Sequence, residues 1–213
     1  MNKLLEIKNL HTHFKTDFGI LKALDGVSFS IERGKIQGIV GESGCGKSVT
    51  ARTILQILGK SGIIPEGKIL FHNKNGLSVD IAKLDPWGKE IKSIRGNDIS
   101  MIFQEPMTAF SPVYSIGNQI MEAILLHQKV DKSEAKKIAV EFLLKVGIPN
   151  ADLRIDAYPY EMSGGMRQRA MIAMALCCHP SLLIADEPTT ALDVTIQAQI
   201  LDLMISLQKE IGM

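Results

Sequence analysis

Gly41-Glu42-Ser43-Gly44-Cys45-Gly46-Lys47-Ser48 lies between a short apolar run, Ile36-Gln37-Gly38-Ile39-Val40, and a stretch from Ser48 to Leu58 that holds neither glycine nor proline. The order reads as strand, glycine loop, helix. The eight residues fit G-x-x-x-x-G-K-[ST], in which glycines let backbone N–H groups wrap phosphate oxygens. In that pattern Lys47 reaches β- and γ-phosphates and the Ser48 hydroxyl ligates Mg²⁺. An ordinary glycine turn is the structural alternative, and the pattern arises by chance in roughly one chain of this length in a hundred.

Working outward, Leu4 to Leu10 and Leu24 to Ile31 read as strands joined through a turn at Thr16-Asp17-Phe18-Gly19, with a second turn at Arg33-Gly34. Lys68 to Phe71 and Ile99 to Phe103 are further strand candidates. From Ser115 onward the spacing becomes helical: Ile116 to Leu126, Ser133 to Val146 with Ser133-Glu134 in its first turn and a stop at Gly147-Ile148-Pro149, and Ser163 to Cys178. Thr195 to Glu210 is also helical, and the spacing of Ile196, Ile200, Leu203, Leu207 and Ile211 gathers them on one face.

Two further constellations carry chemistry. Ser181-Leu182-Leu183-Ile184-Ala185 is an apolar strand that delivers Asp186 and Glu187 at its C-terminal end, where open α/β sheets bind ligands. Adjacent residues of a strand point opposite ways, so Asp186 can hold Mg²⁺ through water while Glu187 polarises an attacking water. Alone such a pair is a solvated strand end; with the glycine loop it becomes a catalytic candidate. In Met162-Ser163-Gly164-Gly165-Met166-Arg167-Gln168-Arg169, Ser163 can cap a helix whose first turn is bared by two glycines, a second anion-attracting helix start.

Composition narrows the partners. With 24 Lys+Arg against 23 Asp+Glu among 213 residues, the net charge of +1 favours neither nucleic acid nor an acidic membrane. Three cysteines, two of them adjacent at Cys177 and Cys178, make no disulfide framework and lack the spacing of a zinc site, which points to a reducing compartment. Cys177 and Cys178 read as core packing, and Cys45 as a tolerated cradle residue open to alkylation. No apolar stretch is long enough for a membrane span or a signal core. A mean hydropathy of +0.12 is high, and predicts apolar surface that faces a partner.

Gly41 to Ser48, Gln104 in Phe103-Gln104-Glu105-Pro106, Ser163-Gly164-Gly165, Asp186-Glu187-Pro188 and Ala191-Leu192-Asp193 together resemble the ordered motifs of an ATP-binding cassette (ABC) ATPase. Pro112 to Ile120 and the run from Ser163 to Gln199 are similar to the ATPase subunits of dipeptide and oligopeptide importers. The resemblance covers the whole chain. It implies an α/β P-loop NTPase fold with an N-terminal antiparallel β-layer, a mixed core sheet and an α-helical signature subdomain. It also implies one domain over 1–213, with β-layer and RecA-like core at 1–103 and 180–213 and the Q-loop and helical subdomain at 104–179.

For the site, the resemblance implies that Phe14 stacks on adenine; the residue-level alternative is a plain core aromatic. Gly41, Glu42, Ser43, Gly44, Cys45, Gly46, Lys47, Ser48 and Val49 would cradle ATP, and Ser48, Gln104 and Asp186 would hold Mg²⁺. Glu187 would be the base, with Lys47 and Gln104 assisting. Ser163, Gly164 and Gly165 would reach the nucleotide of a second subunit, and Asp193 would link the two sites. Implied partners are a second ATPase subunit in a homo- or heterodimer, transmembrane permease subunits that meet the segment from Gln104 to Gln119, and indirectly a solute-binding protein, with no nucleic acid. The implied place is the cytoplasmic face of the membrane.

Members of this family continue beyond the helix at Thr195 to Glu210 into a core strand that ends in a switch histidine, and the peptide importers carry later cluster-binding cysteines. The expectation is a chain whose last core strand is missing, a fragment or short form. The leading function is the ATP-hydrolysing subunit of a peptide importer. The alternatives are a nucleotide-binding fragment without turnover and an importer ATPase for nickel or another small solute. DNA-repair and chromosome ATPases share the motifs but insert long coiled-coil arms, and residues 60 to 160 show no sustained heptads.

Overall fold

The computed structural model describes residues 3–74, 76–104, 109–189 and 194–213. The chain divides into two compact units, Met1–Arg95 and Gly96–Met213. Expected features at Glu105, Pro106, Thr190, Ala191, Leu192 and Asp193 lie outside the described residues.

The first unit is built on an antiparallel sheet. Strands β1 (Lys3–Thr16) and β2 (Gly19–Glu32) form a long hairpin, with Thr16 opposite Gly19 at the turn expected there. Both strands run further than the apolar alternation suggests, because pairing across a hairpin supports polar residues as well as apolar ones. Helix α1 (Lys47–Ile54) follows the glycine loop, and β3 (Gly62–Ile63), β4 (Lys68–His72) and β5 (Ser78–Asp80) complete the sheet in the order β2-β1-β4-β5, with β3 pairing β1. A 3₁₀ turn at Ile81–Lys83 and helix α2 (Lys89–Ile94) close the unit. Leu5, Leu10, Ile69 and Phe71 are buried on one face of the sheet, at about 1.5–3 kcal/mol each. Thr12 and Thr53, both fully buried, share a hydrogen bond of 3.1 Å between their hydroxyls that ties β1 to α1.

One expected strand is absent. Ile36 to Val40 forms no ladder, and Ile36, Ile39 and Val40 are exposed. A strand exists only as half of a pair, and among the described residues no strand pairs with this run. Helix α1 also stops at Ile54, short of the expected Leu58, where Gln56 takes a φ of +52°.

The second unit pairs β6 (Ile99–Ile102) with β7 (Leu182–Ala185) in parallel. Its helices are α3 (Ile116–His127), α4 (Lys132–Lys145), α5 (Ala151–Arg154), α6 (Gly164–Leu176) and α7 (Val194–Ile211), with a 3₁₀ turn at Pro159–Glu161. The expected helices sit where their spacing put them, within a few residues. The cap of α4 is Asp131, whose carboxylate accepts from Glu134 N at 2.9 Å, so Ser133 falls inside the first turn. One apolar cluster holds the unit together: Ile120 and Ile124 of α3, Phe142 and Leu143 of α4, Ala170 to Ala173 of α6, and Ile200 and Leu207 of α7. Ile196, Leu203 and Ile211 pack against it, which is the face the periodicity of the last helix prescribes. None of the described helices is long and apolar enough to cross a membrane.

Candidate functional site

The glycine loop belongs to the first unit. Gly44 and Gly46 have φ of +81° and +95°. At Gly46 a Cβ would lie 2.8 Å from Leu24 Cδ2 and 3.1 Å from Ala23 O, so the position accepts glycine alone. Gly46 is also the N-cap of α1 and brings no capping side chain, while its carbonyl accepts from Thr50 N at 2.8 Å. The positive end of the helix dipole therefore opens onto the loop. Lys47 spans the loop: its ammonium donates to Gly41 O and to Glu42 O, both at 2.9 Å, with Cys45 Sγ at 3.9 Å. Ser48 and Val49 follow in the first turn of α1. An ammonium beside backbone N–H groups at a helix start selects an anion with several oxygens.

Phe14 lies in β1 opposite Leu21 and Gly62, half-buried. A Cβ added at Gly62 would approach its Cε1 to 3.1 Å, so the ring packs closely over β3.

The carboxylates belong to the second unit, and the parallel register explains their arrangement. Ile102 pairs with Ala185, and Asp186 N donates to Ile102 O at 3.0 Å, so both strands end level. Two residues beyond each end, Gln104 Nε2 donates to Glu187 Oε2 at 3.0 Å. Asp186 is buried, whereas Glu187 is half-exposed, which is the divergence expected of neighbours at a strand end. Its cause is sharper than simple alternation: Glu187 has left the strand and sits at a φ of +48°. A non-glycine residue there carries backbone strain of order 1–3 kcal/mol, which surrounding structure must hold in place.

Part of that structure is α6. Ser163 caps the helix, its hydroxyl accepting from Met166 N at 3.3 Å. Among the described residues, a Cβ at Gly164 would meet nothing within 4 Å, and one at Gly165 only Ile196 Cγ2 at 3.7 Å. Packing among the described residues does not require these glycines; what they do is leave the helix start without side chains. One turn on, Gln168 is buried and donates to Pro188 O at 2.6 Å, fastening the glycine-led helix to the turn that carries Asp186 and Glu187. Sequence reasoning assigned Gln168 no role. The available signal was its place, three, four and seven residues before Met171, Ile172 and Ala175, on the buried face of the helix.

Between Gln104 and α3, Gln119 braces a loop: its Oε1 accepts from Ser111 N at 2.8 Å and its Nε2 donates to Ser111 O at 3.0 Å and Tyr114 O at 3.1 Å. The braced segment presents Val113 and Tyr114 to solvent, with Phe103 exposed just before Gln104. Here lies some of the apolar surface that the high mean hydropathy predicts.

Against known proteins, the ABC transporter family pattern matches residues 24–190. A putative peptide import ATP-binding protein of Brucella melitensis is 54% identical over 211 residues, 99% of this chain and 62% of the relative. The dipeptide transport ATP-binding protein DppD of Lactococcus lactis is 53% identical, over 99% of this chain and 58% of its own. The chain thus spans about three fifths of the length of these curated relatives. Among solved structures, the dimeric ATP-binding cassette MJ0796 in a post-hydrolysis state bound to ADP and Pi superposes with a TM-score of 0.82 at 27% identity, covering 98% of this chain and 84% of that one.

Proposed function

Since the chain belongs to the ABC transporter family, we propose that it is the ATP-binding and hydrolysing subunit of an importer for dipeptides or oligopeptides. The observation that carries the catalytic part is the bond from Gln104 to Glu187, which holds a half-exposed carboxylate at the end of a buried strand pair.

In this reading the N–H groups of residues 41 to 48 and the Lys47 ammonium bind the phosphates of ATP, and Phe14 offers a π-face to adenine. Glu187 accepts a proton from the attacking water. Gln104 orients it, because an amide that donates to one carboxylate oxygen leaves the other for the water. The family pattern implies that Ser48, Gln104 and Asp186 would hold Mg²⁺, and a hydroxyl, an amide oxygen and a carboxylate are hard oxygen donors of the kind that suit it. When bound, that ion would neutralise charge on the β- and γ-phosphates. Ser163 with the N–H groups of Gly164 and Gly165 would close on the nucleotide of a second subunit, so that two sites form in a dimer, and the family pattern implies that Asp193 would link them. Val113 and Tyr114 would face a permease subunit, placing the protein at the cytoplasmic face of the membrane, with a solute-binding protein upstream.

The test is uptake of a labelled dipeptide by cells in which the gene is deleted and then restored. Rescue by the wild type and failure of Glu187→Gln support the reading. Uptake unaffected by deletion refutes peptide import, and nickel accumulation lost in its place favours the metal-importing alternative.

A further inference from the structure

Helix α6 ends at Leu176, Cys177 is its C-cap, and the chain turns through Cys178 to His179, which takes a φ of +51°. Neighbouring side chains within a helix diverge, but at this helix end the two sulfurs come near each other. Their Sγ atoms lie 3.9 Å apart. Cys177 is fully buried and 9% of Cys178 remains exposed, so the pair is a dithiol packed in the apolar cluster. Cys177 Sγ donates to Met174 O at 3.1 Å, Cys178 Sγ lies 3.6 Å from Ala123 O, and Gln128 Nε2 donates to Cys177 O at 2.9 Å. The hydrogen-bonding contact between the two thiols lowers the pKa of Cys178, and the Gln128 amide lowers it further against the cost of burial. The same bond, together with burial, pushes the Cys177 thiol upward.

We propose that Cys177 and Cys178 form a binding site for trivalent arsenicals, closed by one arsenic atom bridging the two sulfurs. Two other fates of a dithiol fit the geometry less well. Cα atoms of adjacent residues stand about 3.8 Å apart, below the separation of about 4.4 Å at which disulfides begin to be common, so a direct S–S bond is strained where a one-atom bridge is not. Zinc wants four ligands, and among the described residues no group of three or more His, Cys, Asp or Glu side chains is placed to hold a metal. Trivalent arsenic needs only two thiolates beside the substituent it already carries. With an arsenoxide R–As=O, Cys178 attacks arsenic and Cys177 follows. Two As–S bonds form, the As=O bond is lost, and the oxygen leaves as water with the two thiol protons. Arsenic stays trivalent and no oxidant is consumed.

The site is independent of the nucleotide reading, and so is its test. The purified wild-type chain is treated under native conditions with phenylarsine oxide in excess glutathione, then analysed by intact mass and by counting its remaining thiols after denaturation. The expected result is one adduct and a fall from three reactive thiols to one, reversed by 2,3-dimercaptopropanol and not by glutathione. The adduct should persist in Cys45→Ser and vanish in Cys178→Ser. An adduct that forms only after unfolding in urea, one that glutathione strips away, or one retained by Cys178→Ser overturns the proposal. Should Cys178→Ser fail to fold, the wild-type thiol count decides alone.

Discussion

Gln168 and Pro188 are joined by a 2.6 Å hydrogen bond from the side-chain amide of one to the carbonyl of the other, and Gln168 is 1% exposed. This bond connects the start of α6 to the turn that carries Asp186 and Glu187, so movement at either is felt at the other. A buried acceptor left without its donor costs about 1–3 kcal/mol. Gln168→Leu should therefore lower the unfolding free energy read from urea titration by that much, and it should reduce ATP turnover more than ATP binding. Reduced stability with unchanged turnover would show that the link is structural alone.

At Glu187 the replacement to make is Gln, which keeps the shape of the group and removes its capacity to take a proton. Loss of a general base costs about 10²–10⁴-fold in rate. Phosphate release by Glu187→Gln should fall by that factor while equilibrium binding of ATP is retained. Turnover at the wild-type rate would remove Glu187 from its assigned role.

Lys47 both closes the glycine loop onto Gly41 and Glu42 and stands ready to meet phosphates. Hydrogen bonds to charged groups contribute about 1.5–3 kcal/mol, which corresponds to about 10- to 100-fold in affinity. Lys47→Ala should weaken ATP binding by that range in calorimetric titration, with the thermal midpoint little changed. An unaltered dissociation constant would exclude the loop as the phosphate cradle.

Glu6 supplies a pH dependence far from the site. Its carboxylate meets Lys3 at 2.8 Å, Lys8 at 3.2 Å and His72 at 3.1 Å, and the hydrogen bond from Lys3, followed by that from Lys8, lowers its pKa from 4.5 to about 2. A folded-state pKa below the unfolded one means stability that is present in full above 4.5 and lost as pH falls toward 2. The gap in thermal midpoint between wild type and Glu6→Gln should be constant near neutrality, narrow below pH 4.5 and close near 2. A gap that persists at the acid end would show that Glu6 acts by packing.

Much of this protein was legible in one dimension because the signals are local. A glycine loop announces itself by spacing, since each glycine answers a backbone demand at its own position, as Gly46 does with its φ of +95°. The helices of the second unit follow from a period of 3.6, and the buried stripe of Ile200 and Leu207 is that period made solid. The candidate base and the residue that holds it were both named from sequence. Their contact was not derivable there, since 83 positions separate Gln104 from Glu187 and only the pairing of Ile102 with Ala185 sets them side by side. Ile36 to Val40 fails for the same reason in reverse: its composition suits a strand, yet pairing belongs to two segments and neither can carry it alone. The left-handed backbone of Glu187, the burial of Gln168 and the convergence of the Cys177 and Cys178 sulfurs likewise depend on neighbours distant in the chain or on how a helix ends. Composition and period determined which residues want to be buried and which loops can hold an anion; the tertiary structure alone decided which side chains meet, because contact energy depends on separations in space that sequence order does not encode.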